Sequence, residues 1–250
     1  MHNEAITMKT TVRDCESAAP RTGVRGRGFP GPGFVLTEAD GGRQDDAAAE
    51  LKRSFDPGAA ILAFAGSSRR GSFNGRLIES AVLAGRTLGA RMSILDLRDL
   101  DLPIYDPGVR PDDAPEGAMT LRRIIAGHDG FLIASPEYNG SLPPILKNAL
   151  DWCSRAAPGE QSAAPFRGKV AAIMSASPVL EGGACCLDHL RLVLSRMGVL
   201  VLPDELCLSN AAEAFAGDTL ADPDVRHVLN KSVATLLGTL RMCRSGACAE

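Results

Sequence analysis

The sequence predicts an α/β domain in three layers, with a five-stranded parallel sheet in the order 2-1-3-4-5 and helices on both faces. Three observations carry this. From Ala59 onward short apolar runs alternate with longer amphipathic stretches, the pattern of a βαβ series. The runs Ala59–Ala65 (AAILAFA), Gly130–Ala134 (GFLIA) and Val170–Met174 (VAAIM) are continuously apolar, as strands covered on both faces must be. The second run, Met92–Leu97 (MSILDL), alternates instead, which suits an edge strand and places it outside the first.

The elements follow in order. After the first strand, Asn74–Leu88 places Leu77, Ile78, Ala81, Val82 and Leu88 on one helical face. A loop with Pro103, Pro107 and Pro111 comes after the second strand, then a helix near Glu116–Ala126. Pro143 and Pro144 open the next helix, where a missing N–H has no cost; Ile145, Leu146, Ala149, Leu150 and Cys153 form its apolar side. A helix carrying Leu187, Leu190, Leu194 and Met197 follows the fourth strand, and Val199–Leu202 reads as a short fifth strand. Asp222-Pro223 has the form of an N-cap and N1 proline. It starts a last helix with Val225, Leu229, Val233, Leu236 and Leu240 on one stripe. Right-handed crossovers join the strands.

Residues 1–57 differ: charges of both signs, a Gly/Pro/Arg stretch at Arg21–Phe34, and no sustained periodicity. Such a segment buries too little apolar surface to offset its ordering entropy, so it reads as a flexible arm, with Val12 and Phe34–Leu36 as possible docking points. It has no apolar core of the kind a secretory signal needs. Residues 58–243 form the domain and 244–250 a frayed tail. A formal net charge of −3 gives no reason to expect nucleic acid as a partner, and no apolar run is long enough for a membrane. The seven cysteines lack zinc-like spacing and C-x-x-C pairs, so we expect no metal, free thiols and a reducing, cytoplasmic setting. Only Cys243 and Cys248, near the frayed C-terminus, are candidates for redox activity.

Ligands of open parallel sheets bind outside the carboxyl ends of the strands, near the switch in strand order. Three loops leave such ends. Gly66–Asn74 (GSSRRGSFN) combines small residues, the hydroxyls of Ser67, Ser68 and Ser72, the cations Arg69 and Arg70, and a helix N-terminus. These suit a phosphate cradle, or a capped Ser/Gly connection; the loop matches neither a Walker A nor a G-x-G-x-x-G pattern. Ser135–Leu142 (SPEYNGSL) places Tyr138, one of two tyrosines, where it either stacks on a flat ligand or is an incidental turn residue. Glu137 reads as a solvated turn carboxylate rather than an acid or base. Ser175–Gly183 (SASPVLEGG) is a side-chain-poor loop whose amides are free to face a ligand, or an ordinary Gly/Pro turn.

Together these segments resemble the NADPH-dependent FMN reductase family of flavodoxin-like proteins. The family's G-S-x-R-x-x-S-x-N loop is matched by Gly66, Ser67, Arg69, Ser72 and Asn74. Its P-E-Y-N-x-S-x-P-x-x-L-K-N-A-x-D-W motif is matched without a break from Pro136 to Trp152. Ser175–Gly183 is similar to its third flavin-contacting loop, with Val179 where glycine is common, and Leu102–Asp106 (LPIYD) to its loop after strand two. The resemblance spans about residues 59–204 and does not reach the arm. It implies a flavodoxin-like fold with FMN as cofactor, its phosphate held by Ser67, Arg69, Ser72 and Asn74, with Phe73 beside them. Pro136, Glu137, Tyr138, Asn139 and Gly140 would lie along the ring, and Ser175, Ser177, Gly182 and Gly183 would close the other side. It also implies a homodimer or homotetramer, with the helix of Lys147–Trp152 in the interface; Trp152 reads as a core or interface anchor.

The activity implied is NAD(P)H-dependent: hydride passes from NADPH or NADH to flavin N5, and electrons then go to a small-molecule acceptor. That acceptor is a flavin, a quinone, an azo compound or a metal oxyanion. Because the flavin carries the chemistry, no residue is expected to be catalytic in its own right, and His128, His189 and His227 take structural roles. The rival readings are a flavodoxin-like electron carrier and a flavin-binding sensor, neither with fast NAD(P)H turnover. The mild net charge disfavours the first.

Overall fold

Parallel pairing joins Ala60–Ala65 (β1) to Arg91–Leu95 (β2) on one side and to Gly130–Ala134 (β3) on the other. Val170–Ala176 (β4) and Leu200–Leu208 (β5) complete the sheet in the order β2-β1-β3-β4-β5. This is a computed structural model that describes residues 58–156, 159–179, 182–217 and 219–245. The arm at residues 1–57 with its docking points, Cys15 and Cys248 lie outside the described residues.

The pleat of β1 sorts its side chains between two cores. Ile61 and Ala63 face helices Phe73–Thr87 (α1) and Pro223–Arg244 (α5). Leu62 and Phe64 face Glu116–Ala126 (α2), Pro144–Ser154 (α3) and Ala184–Arg196 (α4). The result is the expected three-layer arrangement. Every residue of β3 and β4 is buried, whereas Arg91, Ser93 and Ile94 of β2 are exposed at the sheet edge. At α5 the Asp222 side chain accepts from the Asp224 amide at 2.8 Å and Pro223 follows it, as the sequence predicts.

Four local features depart from the sequence expectations. β2 stops at Leu95, because Asp96 accepts from the Arg98 amide at 3.0 Å and caps a 3₁₀ turn, Leu97–Leu100; Leu97 enters the core from that turn. β5 runs well past Leu202, with a register shift opposite Ala171 and Ile173. Pro203 is tolerated there because the strand is an edge and needs no donor on its open side. A small antiparallel hairpin, Phe215–Ala216 (β6) with Thr219–Leu220 (β7), was not foreseen; its runs are too short for periodicity to reveal, yet Phe215 and Leu220 join the core. Finally, Cys243 is no frayed residue: α5 continues to Arg244 and Cys243 packs against the first core.

Candidate active site

The loops after β1, β3 and β4 meet at a cavity of about 160 Å³ at the carboxyl ends of those strands. Ser67, Arg69, Ser72, Phe73, Asn74, Pro136, Glu137, Tyr138 and Ser177 line it, as do Ala176 and Pro178. Ala176, which carries no polar group, has no signal in the sequence that marks it for the site, whereas Pro178 belongs to the side-chain-poor loop Ser175–Gly183. Asn139, Gly140, Ser175, Gly182 and Gly183 do not line this cavity. A larger groove of about 870 Å³ runs between α1 and α5, past Leu83, Leu88 and His227. None of the three loops borders it, and it lies off the strand ends where an α/β sheet places its ligand.

The loop after β1 is built around the start of α1. Ser72 is the N-cap, its hydroxyl accepting from the Gly75 amide at 3.0 Å. The amides of Phe73 and Asn74 have no acceptor among the described residues. They remain as donors at the positive end of the helix. Ser67 Oγ accepts from the Arg69 amide at 3.2 Å. The Arg69 guanidinium lies 5.6 Å from the centre of the Phe73 ring, and that ring stacks on Phe215 at 6.4 Å. Asn74 departs from the expectation that it holds a phosphate. Its buried carboxamide is bonded on both sides to the Ala176 backbone, Nδ2 donating at 2.8 Å and Oδ1 accepting at 2.9 Å. Its side chain therefore joins two loops, and only its amide faces outward chemistry.

The loop after β3 is a miniature hairpin. Tyr138 and Ser141 exchange backbone bonds at 3.0 and 3.1 Å. Asn139 and Gly140 between them have φ of +52° and +76°, as a type I′ turn requires of both central residues. The turn sets Tyr138 at the cavity with 42% of its surface exposed. Ser141 Oγ also meets His189 Nδ1 on α4 at 2.9 Å. Glu137 is not the solvated carboxylate expected: its Oε2 accepts from the Cys186 amide at 3.2 Å. The N-cap of α4 is Gly183, which offers no side-chain acceptor, so Glu137 supplies one to the first turn. Beside it, burial pushes the Cys186 thiol up to about 11; Cys186 Sγ donates to Ser135 Oγ at 3.1 Å.

The loop after β4 brings Ser175 against Gly183. A Cβ on Gly183, whose φ is +84°, would lie 2.1 Å from Ser175 Oγ. That hydroxyl is buried and has no hydrogen-bond partner among the described residues. Ser177 Oγ accepts from the Val179 amide at 3.3 Å, and the Val179 side chain is 55% exposed. Leu180 and Glu181 of this loop lie outside the described residues.

The motif between Pro143 and Trp152 secures the loop after strand two. Asn148 Nδ2 and Trp152 Nε1 both donate to the Pro103 carbonyl at 2.8 Å. Asn148 Oδ1 accepts from the Tyr105 amide at 2.7 Å, and the Tyr105 ring meets Trp152 edge-on at 5.2 Å. Trp152, 2% exposed, is thus a core anchor of its own chain. His128 is structural, bonding Ile124 O at 2.7 Å and Ser93 Oγ at 2.9 Å.

The family model for NADPH-dependent FMN reductases matches residues 59–213. The chain belongs to that family. An NAD(P)H-dependent FMN reductase of Pseudomonas aeruginosa is 36% identical over 74% of this chain and 96% of its own length. A quinone reductase of Escherichia coli K12 is 32% identical over 70% and 92% respectively. Among solved structures, the flavoenzyme NAD(P)H:(acceptor) oxidoreductase FerB of Paracoccus denitrificans superposes with a TM-score of 0.63 at 28% identity, covering 73% of this chain and 97% of that one. This FMN reductase family member is accordingly an NAD(P)H-dependent flavin oxidoreductase with a flavodoxin-like fold.

The residues present fit FMN. Two helix-terminal amides and the Ser72 cap are suited to a phosphate. The Ser175 hydroxyl, adjacent in sequence to the cavity-lining Ala176 and Ser177, is buried with no hydrogen-bond partner among the described residues. Gly183 lets the start of α4 pack directly on Ser175, since a Cβ there would lie 2.1 Å from Ser175 Oγ. Among the described residues no cluster of His, Cys, Asp and Glu could hold a metal ion, and no helix is long and apolar enough to cross a membrane.

Proposed function

We propose that this protein binds FMN at the junction of its three loops and passes electrons from NAD(P)H to a quinone-class acceptor. The observation that carries the reading is the convergence of the loops after β1, β3 and β4 on one cavity, supported by the name of the Escherichia coli relative. When bound, FMN supplies the redox chemistry, taking two electrons and a proton from the nicotinamide and releasing them to the acceptor.

The chain's share is binding and orientation. Ser67, Arg69 and Ser72, with the amides of Phe73 and Asn74, would hold the phosphate by charge and hydrogen bonds. Pro136–Gly140 would line the ring with backbone and Tyr138, and the hairpin holds that line rigid before the ligand arrives. Ser175, Ser177 and the Gly182-Gly183 turn would close the side formed by β4. Glu137 is occupied with the α4 amide, so it positions the loop and moves no proton.

The reading extends to assembly and location. Ile104, 90% exposed on the loop that Asn148 and Trp152 pin, and Met119 on α2 leave apolar surface beside α3. This supports a homodimer or homotetramer joined there, which light scattering would measure. The free thiols favour a reducing compartment such as the cytoplasm.

The deciding experiment is a visible spectrum of protein reconstituted with FMN, mixed anaerobically with NADPH or NADH and then with a benzoquinone. Bleaching of the flavin band within seconds, reversed by the quinone, is the expected result. Binding without bleaching would make the chain a carrier or sensor, and absence of FMN binding would overturn the site.

A further inference from the structure

Next to the flavin cavity lies a second one, and its lining is cationic. It has a volume of about 180 Å³, shares Ser67, Arg69 and Ser72 with the first, and reaches Ile94 and Leu95 at the end of β2. Four arginines, Arg69, Arg70, Arg76 and Arg98, line it together with two acidic residues, Asp96 and Glu79.

Three of these arginines are held in place. Arg98 is forked onto Asp96, Nε donating at 2.9 and 3.0 Å to its two oxygens. Arg76 donates to the Gly217 carbonyl and lies 4.2 Å over the Phe215 ring. Arg69 lies over Phe73. Arg70 alone of the four is exposed without a hydrogen bond, ion pair or ring contact among the described residues. Its charge nevertheless reaches the cavity. The Asp96 carboxyl is held below the usual range first by the hydrogen bond from Arg98, and Arg70 adds to that effect.

A flavin phosphate at the start of α1 accounts for the first cavity and takes up Arg69, which leaves the charge of Arg70 unused. The two nicotinamide nucleotides differ by one group, a phosphomonoester on the adenosine ribose. That group carries close to two negative charges at neutral pH, with oxygens suited to arginine forks. A nucleotide stacked at the flavin cavity and crossing the β1–α1 loop would set its adenosine end over the second. We propose that Arg70, backed by Arg98 and Arg76, forms the subsite for the 2′-phosphate of NADPH and selects NADPH over NADH. This rests on the flavin reading above, because it takes the first cavity as the FMN site.

The test uses FMN-loaded protein and calorimetric titration with two fragments, adenosine 2′,5′-bisphosphate and adenosine 5′-monophosphate. The wild type is expected to bind the bisphosphate about tenfold more tightly. Arg70→Ala should weaken the bisphosphate roughly fivefold and Arg70→Glu further, a range between an exposed ion pair and a charge-assisted fork. The monophosphate and FMN dissociation constants should stay within about twofold. Added salt should erode the difference.

Three results would overturn the subsite. Equal affinity of the wild type for both fragments would show that the cavity takes no 2′-phosphate. Equal weakening of both fragments by the Arg70 variants would assign it to the phosphates common to both nucleotides. Weakened FMN binding in the Arg70 variants would make it part of the flavin site. Failure of the wild type to bind FMN at all is a different outcome, and it removes the flavin reading itself.

Discussion

Asn74 bonds Ala176 twice across 102 residues of sequence, donating to its carbonyl and accepting from its amide, with both groups buried. The pair ties the start of α1 to the end of β4, so two of the three site loops move as one. Asn74→Ala leaves a buried N–H and C=O unpaired, and is expected to cost about 2 kcal/mol of stability. FMN affinity should fall as well, since the loops lose their common reference. Urea denaturation and a flavin-fluorescence titration measure the two effects. A variant with unchanged midpoint and unchanged affinity would refute the coupling.

Ser175 and Gly183 make opposite predictions for stability and binding. The unpartnered Ser175 hydroxyl contributes little to the protein without flavin and carries a burial penalty, so Ser175→Ala should leave its stability unchanged or raise it by up to about 1 kcal/mol. The same change should weaken FMN if the hydroxyl bonds the flavin. Gly183→Ala should be destabilising by about 2 kcal/mol or more, because the methyl group would strike Ser175 and the residue sits in the left-handed region. Thermal denaturation with and without FMN separates these outcomes; a stabilised Gly183→Ala would contradict the geometry.

The βαβ order, both cores and the three site loops were legible because each rests on a strong local signal. Continuous apolar runs mark β1, β3 and β4, and the loops at their ends carry unusual composition. What escaped depends on distance in sequence. Nothing local to Asn74 says that its amide is bonded to Ala176, and nothing in the PEYN segment says that Glu137 will meet the α4 amide. The true end of β2 was readable in principle, since Asp96 two residues before Arg98 is a capping pattern. The alternation of MSILDL masked it. The length of β5 was not readable, because Pro203, Asp204 and Glu205 interrupt its apolar run and only pairing with β4 keeps it extended.

The hairpin at Tyr138–Ser141 depends on a glycine. At a φ of +76°, Gly140→Val places a β-branched side chain in the left-handed region, at a cost of about 1–2 kcal/mol. The expected effect is local: FMN affinity falls because Tyr138 loses its seat, while the unfolding midpoint shifts by less than in Asn74→Ala. Asn139→Gly, which suits the same turn, should be tolerated. Equal FMN affinity in Gly140→Val would remove this turn from the binding site.

Two buried thiols set a stability limit in alkali. Burial pushes Cys153 up to about 12 and Cys186 up to about 11, against about 8.5 for a free thiol. In both cases the folded state holds its proton more tightly than the unfolded chain. Their contribution is therefore fully present below the unfolded value and is lost as pH rises through the folded one. Stability should decline from about pH 9 upward, by at most ~1.4 kcal/mol per pH unit for each thiol. Cys153→Ala should flatten part of that slope in urea titrations between pH 8 and about 11. Exposed Cys185 should alkylate well before either buried thiol at pH 8. Early labelling of Cys186 would contradict its burial.

Trp152 and Asn148 share one acceptor, the Pro103 carbonyl, each at 2.8 Å. Removing either donor leaves the carbonyl satisfied by the other, so single losses should be modest. Trp152→Phe keeps most of the packing and should cost about 1 kcal/mol, whereas Trp152→Ala opens a cavity worth about 3–5 kcal/mol. Asn148→Ala also releases the Tyr105 amide and should cost about 1–2 kcal/mol. The double variant Trp152→Phe with Asn148→Ala leaves the carbonyl without either donor. It should lose about 1 kcal/mol more than the sum of its parts. Strict additivity in that cycle would mean that the two donors act on the loop independently, and the shared carbonyl would then not be what fastens residues 102–106 to α3.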